Sequence, residues 1–298
     1  MENKMEISIC IVSKNRKIEL QKTLSILASC IDITKHEVLV FLDGCTDNSS
    51  KLAREFPWVK WTTIAKSVGA SKARSLLFIK ASGKYIIGFD DDAHPIQPDF
   101  IEKCIAIFQR HPKVGIIAFK EITGVYNKED LTKQANQSLI EYPCSEFVGC
   151  GFAVRSDVYN ATRGFPEWID IYGEENCLSI EVLSKNYTIL YTNAIAVNHR
   201  INVQNRLEQG KNYFRFGKQL KNSTFYYFVY YPNPIKKIGK LYYHNLNKYA
   251  LTDFKYLKIF FKTFFLCIFK LPLLMKYREP VDLDVIKLKE SLPFPGRK

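Results

Sequence analysis

The segment that most constrains the fold of this chain is residues 85–95, in which an apolar run is followed by three consecutive aspartates. It lies between Gly83 and Pro95, which is typical of a buried strand followed by a turn. Carboxylates at the end of a buried strand are costly unless a cation or hydrogen bonds compensate them. Ligands of open α/β sheets bind at the carboxyl ends of strands. Asp90, Asp91 and Asp92 therefore predict a site for Mg²⁺ or Mn²⁺ and substrate phosphates, with a solvated acidic turn as the alternative.

Apolar segments and helical patterns alternate through the first 200 residues, which is typical of parallel βαβ units. A length of 298 residues allows one α/β domain with an appendage. We predict that residues 1–200 form a mixed, mostly parallel Rossmann-like sheet flanked by helices, and that residues 201–298 are a helical, basic region. The predicted strands are residues 7–12, 37–42, 59–64, 85–90, 114–119, 147–155 and 188–196, and the predicted helices are residues 17–29, 49–55, 71–80, 98–110 and 178–185.

The positive charge of the chain is concentrated at its C-terminal end. The whole chain has a net charge of +13, and from His199 onward there are 20 basic and 6 acidic residues. The preceding residues hold 23 basic and 24 acidic side chains, so they are nearly neutral. This distribution predicts an acidic partner for the C-terminal region, either a membrane surface or a nucleic acid.

A helical pattern over residues 255–270 favours the membrane. At about 100° per residue, its four lysines fall within one arc of about 120°, and the rest of the helix surface is largely Phe, Leu and Ile. This pattern is typical of an interfacial helix whose lysines reach anionic headgroups, and the alternative is a helix packed on the core with a solvated lysine face. Nucleic acid is not expected, because the charge lies on an amphipathic helix and in no recognisable binding module. The lysines are Lys255, Lys258, Lys262 and Lys270.

The length of the hydrophobic segments and the spacing of the cysteines indicate the cellular compartment of the protein. No segment reaches the roughly 18 uncharged apolar residues of a spanning helix, and no secretory signal pattern is present. The eight cysteines form no CxxC pair, which favours a reducing compartment. We therefore expect a cytoplasmic protein attached peripherally to the cytoplasmic face of the membrane.

Five motifs follow one another in an informative order. They are residues 12–16 after the first strand, residues 42–47 after the second, residues 67–74 at a helix start, the aspartates 90–92, and residues 163–175. This series resembles glycosyltransferase family 2, the inverting enzymes of the GT-A fold, over about residues 5–200. Lys14, where the family often has an aromatic residue, and Glu175, where it usually has Asp, depart from the pattern.

The resemblance implies an activity and its substrates. It implies a GT-A nucleotide-diphospho-sugar transferase fold and transfer from a nucleotide sugar, with UDP-sugar expected. The acceptor would be a glycan or lipid-linked hydroxyl in cell-surface polysaccharide synthesis. The residues that the resemblance implies for binding of the donor are Val12, Asn15, Arg16, Asp43, Gly69, Arg74, Asp90 and Asp91.

The same resemblance assigns the ion and the base. Asp92 would be the direct ligand of Mg²⁺ or Mn²⁺, Asp90 would contact ribose or metal, and His199 would be a further neutral ligand or a satisfied strand-end histidine. Glu175 would be the catalytic base, with Glu174 as the neighbouring alternative.

Two other functions compete with this interpretation. One is a nucleic-acid-binding protein that uses the basic aromatic tail. The other is a sugar nucleotidyltransferase, which would need a glycine-rich loop after the first strand, and residues 12–17 contain no glycine.

Overall fold

The structure, a computed structural model, describes residues 5–124, 137–201 and 211–297. The described residues contain nine strands in one sheet. The strands are β1 Ile7–Ser13, β2 His36–Asp43, β3 Val59–Ile64, β4 Tyr85–Asp90, β5 Ala93–Pro95, β6 Val114–Thr123, β7 Glu141–Pro143, β8 Gly151–Arg155 and β9 Thr188–His199. The helices are α1 Lys17–Leu27, α2 Leu52–Glu55, α3 Ala70–Phe78, α4 Phe100–Arg110, α5 Ser156–Asn160, α6 Glu174–Ser184, α7 Tyr213–Tyr230, α8 Pro234–Lys248, α9 Phe254–Leu274 and α10 Leu283–Ser291.

The sheet has the strand order β3-β2-β1-β4-β8-β6-β9-β5, with β7 paired to β9. Strands β3, β2, β1 and β4 are parallel, as are β6 and β9, whereas β8 is antiparallel to both of its neighbours. The predicted mixed, mostly parallel sheet flanked by helices is therefore confirmed.

The central strands β1, β2 and β4 are buried on both faces, which gives a core in two layers, whereas the edge strand β3 is only partly buried. In β1, Ile7, Ile9 and Ile11 join the cluster under α1 and α4, and Cys10 joins the cluster under α3, α5 and α6. This alternation follows from the two-residue period of a strand.

The register explains why the ligand-binding edge forms where it does. Val12 of β1 is aligned with Phe41 of β2 and with Asp90 of β4, so the carboxyl ends of three parallel strands meet. The chain then turns at Asp91 and Asp92 into β5, whose Ala93 pairs with His199 of β9. This short pairing brings the acidic turn beside the end of β9.

Several predicted element boundaries were wrong. The strand predicted at residues 147–155 begins only at Gly151, because the preceding residues form a turn. The helix predicted from residue 178 begins at Glu174, after Gly173 with φ 102°. Strands β5 and β7 and helix α5 were not predicted, because elements of three to five residues show no clear periodicity. The sequence of residues 124–145 is polar and poorly patterned, which predicts a loop or a mixed region; of these, residues 125–136 lie outside the described residues.

The region after residue 211 is helical, as predicted. Helix α7 packs its buried residues Tyr226, Val229 and Tyr230 against Cys177 and Ile180 of α6. Helices α8 and α9 pack on α7, and α10 returns to α6. No helix in the described ranges is both long and apolar enough to span a bilayer. The division of the chain at residue 200 stays a prediction.

Candidate active site

A cleft of about 1210 Å³ opens at the carboxyl edge of the parallel strands. It brings together residues that are far apart in sequence. Asn15 is not among its lining residues, because its Oδ1 accepts hydrogen bonds from Thr46 instead. The predicted site residues that do line the cleft are Val12, Arg16, Asp43, Gly69, Arg74, Asp90, Asp91, Asp92, Glu174, Glu175 and His199.

Three potential metal ligands converge on one side of the cleft. One ligand atom each from Asp90, Asp92 and His199 lies within 4.8 Å of the others. The Oδ1 atom of Asp92 is 3.4 Å from His199 Nε2, and its Oδ2 atom accepts a 2.5 Å hydrogen bond from Arg16 Nη2. Burial opposes ionisation of Asp92, but the contacts with His199 and Arg16 outweigh it and hold its pKa at about 2. Asp92 is therefore ionised at neutral pH.

The donor set fits a divalent ion. Two carboxylates and an imidazole are ligands that Mn²⁺ accepts, and carboxylates also suit Mg²⁺. Arg16 pairs with Asp91 and Asp92, and the side chain of Arg16 is 44% exposed. Because the guanidinium of Arg16 is partly exposed, it can move away from Asp92 when a divalent ion pairs with that carboxylate instead. The ligand roles of Asp92, Asp90 and His199 stay predictions.

Asp91 faces a different direction from its two neighbours. Its Oδ2 atom accepts a 2.7 Å hydrogen bond from Ser13 Oγ, and its backbone oxygen accepts one from Thr23 Oγ1 at 2.8 Å. Burial raises its pKa to about 7, although the contacts with Arg16 and Ser13 oppose this change. Asp91 thus ties the acidic turn to β1 and α1, and its contact with a nucleotide stays a prediction.

Asp43 organises the part of the cleft lining that precedes α3. Its carboxylate accepts hydrogen bonds from Ser67 Oγ at 2.6 Å, Val68 N at 2.7 Å and Gly69 N at 3.1 Å. Gly69 has φ 92°, and a Cβ atom there would lie 2.9 Å from the carbonyl oxygen of Asp170. Asp43 therefore fixes the loop that starts α3. A contact between Asp43 and the base of a nucleotide stays a prediction.

Arg74 links the ion side of the cleft to the candidate bases. Its Nη2 atom is 2.5 Å from Asp90 Oδ1, and its Nη1 atom is 2.9 Å from Glu174 Oε1 and 3.5 Å from Glu175 Oε1. Burial disfavours the charge on Arg74, but the three carboxylates outweigh it and raise its pKa. A Cβ atom at Gly149 would lie 2.3 Å from Glu175 Oε1, so glycine leaves the room for this arrangement.

The two adjacent glutamates differ in access and in partners. Glu174 is 2% exposed, and its Oε2 atom has no hydrogen-bond partner among the described residues. The side chain of Glu175 is 23% exposed. Burial, followed by the charge of Glu174, raises the pKa of Glu175 to about 8. Of the two, Glu175 is the one that a substrate in the cleft can reach more easily.

The far wall of the cleft comes from residues that the sequence analysis did not single out. Tyr172 has φ 70°, and Asn222 Nδ2 donates to the backbone oxygens of Ile171 at 2.7 Å and Tyr172 at 2.9 Å. Side chains of α7 and α8 complete the wall, so the site is not confined to residues before 200. In a sequence, polar helix positions that line a cleft cannot be distinguished from polar positions that face solvent. The wall residues on these helices include Phe214, Arg215, Ser223, Leu241 and Asn245.

Comparisons with known proteins identify the relatives of this chain. The model of glycosyl transferase family 2 matches residues 8–162. The search of curated proteins found no match. Among solved structures, S. aureus TarS 1-349 is 16% identical with a TM-score of 0.54, over 66% of this chain and 60% of that chain. GalNAc-T7 with UDP, GalNAc and Mn²⁺ is 15% identical with a TM-score of 0.61, over 80% of this chain and 50% of that chain.

A third structure extends over most of both chains. The mannosyltransferase PcManGT from Pyrobaculum calidifontis, in complex with GDP-Man and Mn²⁺, is 14% identical with a TM-score of 0.57, over 96% of this chain and 79% of that chain. This chain spans less than two thirds of the TarS 1-349 and GalNAc-T7 chains. At these identities the likeness is one of fold, and the expected GT-A fold is confirmed. Because the family model also matches more than half of its residues, the chain belongs to glycosyl transferase family 2.

Proposed function

We propose that this glycosyltransferase is an inverting, metal-dependent enzyme. It transfers a sugar from a nucleotide-diphosphate sugar, with UDP-sugar favoured, to a hydroxyl of a glycan or lipid-linked acceptor in polysaccharide synthesis. One observation carries the proposal. A reachable carboxylate with a raised pKa, Glu175, shares a cleft with the ligand group of Asp90, Asp92 and His199, and Arg74 joins the two.

The ion would be Mg²⁺ or Mn²⁺, held by Asp92, His199 and Asp90. When bound, it would neutralise the charge that develops on the diphosphate leaving group. The presence of Mn²⁺ in the structures of GalNAc-T7 and PcManGT supports a divalent ion here. Those two structures contain UDP and GDP-Man respectively, so both nucleotides belong in a test of this chain.

The residues of this chain would position both substrates. The loop that Asp43 holds, residues 67–69, would border the nucleotide, with Val12 and Arg16 nearby. The acceptor would enter along Tyr172 and helices α7 and α8, whose residues line the same cleft as Glu175. Glu175 would take the proton of the attacking hydroxyl.

A panel of nucleotide sugars tests this function. We expect one of UDP-GlcNAc, UDP-Glc, UDP-Gal or GDP-Man to raise the unfolding temperature with Mn²⁺ present and much less with EDTA. A ligand at 100 times its Kd stabilises the native state by about 2.7 kcal/mol. For a chain of 298 residues, with an unfolding entropy of about 2.1 cal/mol/K per residue, that is a shift of roughly 4 °C.

Other ligands separate the competing functions. A sugar nucleotidyltransferase would be stabilised by a nucleoside triphosphate together with a sugar 1-phosphate. Stabilisation by that pair, and by no nucleotide sugar at any Mn²⁺ concentration, would contradict the proposed transferase.

We also propose that helix α9 holds the enzyme on an anionic membrane. One stripe of this helix, which includes Tyr256 and Phe260, is buried within the protein. The remaining surface exposes large apolar side chains, among them Phe265 at 54% and Phe269 at 77%. Exposed apolar surface of this extent marks an interaction site, and neighbouring lysines select an anionic partner. The structure thus combines a packed stripe with an exposed face that holds both Phe and Lys.

The charged and apolar parts of α9 should respond differently to salt. Each lysine near an anionic surface contributes on the order of 1 kcal/mol. Replacing Lys255, Lys258, Lys262 and Lys270 with Gln should weaken binding to phosphatidylserine vesicles by roughly 10²-fold to 10³-fold at low salt and flatten its salt dependence. Replacing Phe261, Phe265 and Phe269 with Ser should weaken binding at every salt concentration. Sedimentation with vesicles measures both effects.

The buried stripe of the same helix provides the control. Phe260 is 6% exposed, so Phe260→Ser should lower the unfolding temperature, whereas the three exposed replacements should not. Retention of full vesicle binding by the folded Phe variant would rule out the membrane role of this face.

A further inference from the structure

We propose that the chain has a second divalent-cation site, suited to Zn²⁺, formed by Glu121, Cys150 and His199. One ligand atom from each residue lies within 4.8 Å of the other two. His199 is shared with the group of Asp90 and Asp92, whereas Glu121 and Cys150 belong to neither the ion site nor the base described above. The second site would therefore regulate the first.

Three strands place these ligands on one side of the sheet. Glu121 lies in β6 two residues before Thr123, which pairs with His199 at the end of β9, so both side chains are on the same face. Cys150 immediately precedes Gly151, the first residue of β8, which is antiparallel to β6. A Cβ atom at Gly151 would lie 2.5 Å from Val197 Cγ2, which shows how closely β8 and β9 approach here.

The chemistry of the three donors differs from that of the first site. A thiolate, an imidazole and a carboxylate are the ligands of catalytic and inhibitory Zn²⁺ sites, in which a fourth position stays open for water or substrate. Sulfur is a poor ligand for Mg²⁺ and favours softer ions. At ordinary zinc–ligand distances, the donor atoms lie roughly 3–4 Å apart. The Glu121 Oε1 atom is 2.6 Å from His199 Nδ1, so it needs only a small displacement to admit an ion.

Access and burial are compatible with such a site. Cys150 is 2% exposed and therefore protected from solvent oxidants, whereas Glu121 lies at the surface with its side chain 29% exposed. Of the three ligands, Glu121 is the one that an ion from solvent would contact first.

The shared histidine connects the two sites. His199 directs Nδ1 toward Glu121 and Nε2 toward Asp92, at 2.6 Å and 3.4 Å. A neutral imidazole offers only one nitrogen lone pair, so Zn²⁺ bound at Nδ1 leaves the proton on Nε2 and removes that ligand from the first site. Two dications held close to one ring would also repel each other. Zn²⁺ bound to Glu121 and Cys150 should therefore lower the affinity of the first site for Mn²⁺ and inhibit transfer. This last step rests on the proposed function, whereas the binding of Zn²⁺ does not.

Cobalt provides a direct probe of the thiolate. Co²⁺ added to the metal-free protein should give the near-ultraviolet charge-transfer band of a thiolate–cobalt bond, and Zn²⁺ should abolish the band by displacement. Cys150→Ala should lack the band and bind Zn²⁺ roughly 10-fold to 100-fold more weakly, since even outer ligands change affinity that much. Cys45→Ala is the matched control, because Cys45 is a partly exposed free cysteine outside the group and should keep the band.

A second variant tests the site without changing a buried residue, in case Cys150→Ala does not fold. Glu121→Gln changes a surface side chain and should also weaken Zn²⁺ binding, with an unchanged unfolding temperature. Absence of the band in the native protein, or an identical band and Zn²⁺ affinity in Cys150→Ala, would overturn the site. If the band depends on Cys150 but Zn²⁺ leaves Mn²⁺ affinity unchanged in electron paramagnetic resonance, the regulation through His199 is overturned. A failure of Mn²⁺ to bind without Zn²⁺ would count against the proposed function instead.

Discussion

Glu175→Gln is expected to lower the rate of sugar transfer by roughly 10²-fold or more while donor binding stays unchanged. The amide keeps the size of the side chain beside Gly149 but cannot take a proton. Glu175 Oε1 is 3.5 Å from Arg74 Nη1, the longest of the three carboxylate contacts of Arg74, so the loss of its charge leaves two ion pairs in place. Steady-state transfer and equilibrium donor binding, measured on the same preparation, separate catalysis from binding.

The neighbouring glutamate supplies the comparison. Glu174 is buried and lies 2.9 Å from Arg74 Nη1, so Glu174→Gln should destabilise the protein and weaken the positioning of Arg74. We expect a smaller loss of transfer than for Glu175→Gln once both variants are assayed below their unfolding temperatures. Full activity of Glu175→Gln with an inactive Glu174→Gln would move the role of the base to Glu174.

The pH profile is a further measurement of the same prediction. Burial, and then the charge of Glu174, raises the pKa of Glu175 to about 8. A base acts in its ionised form, so kcat/KM should rise with pH and level off above about pH 8. Because Glu174 and Glu175 are adjacent, the measured value belongs to the pair. The rise should be absent in Glu175→Gln, and a profile that both proteins share would assign the titration to another group.

The sequence predicted the parallel half of the sheet and its acidic edge well. Strands β1, β2 and β4 contain continuous apolar segments, which have a strong signal, and helical patterns separate them. Strand β3, in which apolar and polar residues are mixed, was still predicted at Val59–Ile64. The end of β4 at Asp90 follows directly from that pattern. The position of His199 beside Asp92 could not be obtained in this way, because it depends on the pairing of β5, a strand of three residues.

Most of the features that could not be predicted from the sequence depend on contacts between distant segments. Glu121 and His199 lie in β6 and β9, and Cys150 lies in the turn before β8; no local pattern in the sequence shows the order of these strands in the sheet. In the sequence, Asn222 looks like an ordinary polar residue of a helix. Only the packing of α7 on the loop before α6 shows that its side chain donates a hydrogen bond to the backbone oxygen of Tyr172. Local periodicity reports which face of an element is buried, but not which element covers it.

Trp168 shows a different limit of the sequence. From the sequence alone, Trp168 fits a core position and an acceptor platform equally well. In the structure, Trp168 packs against Phe225 and Tyr230, with ring centroids 6.5 Å and 6.3 Å away. It therefore helps to attach α7 to the α/β part of the chain. The aromatic residues that line the cleft are instead Phe147, Tyr172, Phe214 and Phe294.

Asp92→Asn is expected to abolish metal-dependent donor binding while the protein stays folded. Asp92 is 2% exposed, and its two oxygens face His199 and Arg16, which are the partners of an ionised carboxylate. The amide has the same shape but lacks the charge that a divalent ion requires. Loss of this ligand should weaken Mn²⁺ binding by at least 10-fold to 100-fold, as changes to outer ligands do. Unfolding temperatures with donor, with and without Mn²⁺, measure the effect.

The control is a carboxylate outside the cleft. Asp99 pairs with Lys103 at 2.9 Å on the surface of α4, so Asp99→Asn should keep the stabilisation by donor and Mn²⁺ in full. Burial and the contacts with His199 and Arg16 hold the pKa of Asp92 at about 2, so its contribution to stability is present at neutral pH and is lost only as the pH falls below about 4. Asp92→Asn should therefore unfold at a somewhat lower temperature at pH 7 without ligand. Donor binding by Asp92→Asn with the same Mn²⁺ dependence as the native protein would show that the ion lies elsewhere in the cleft.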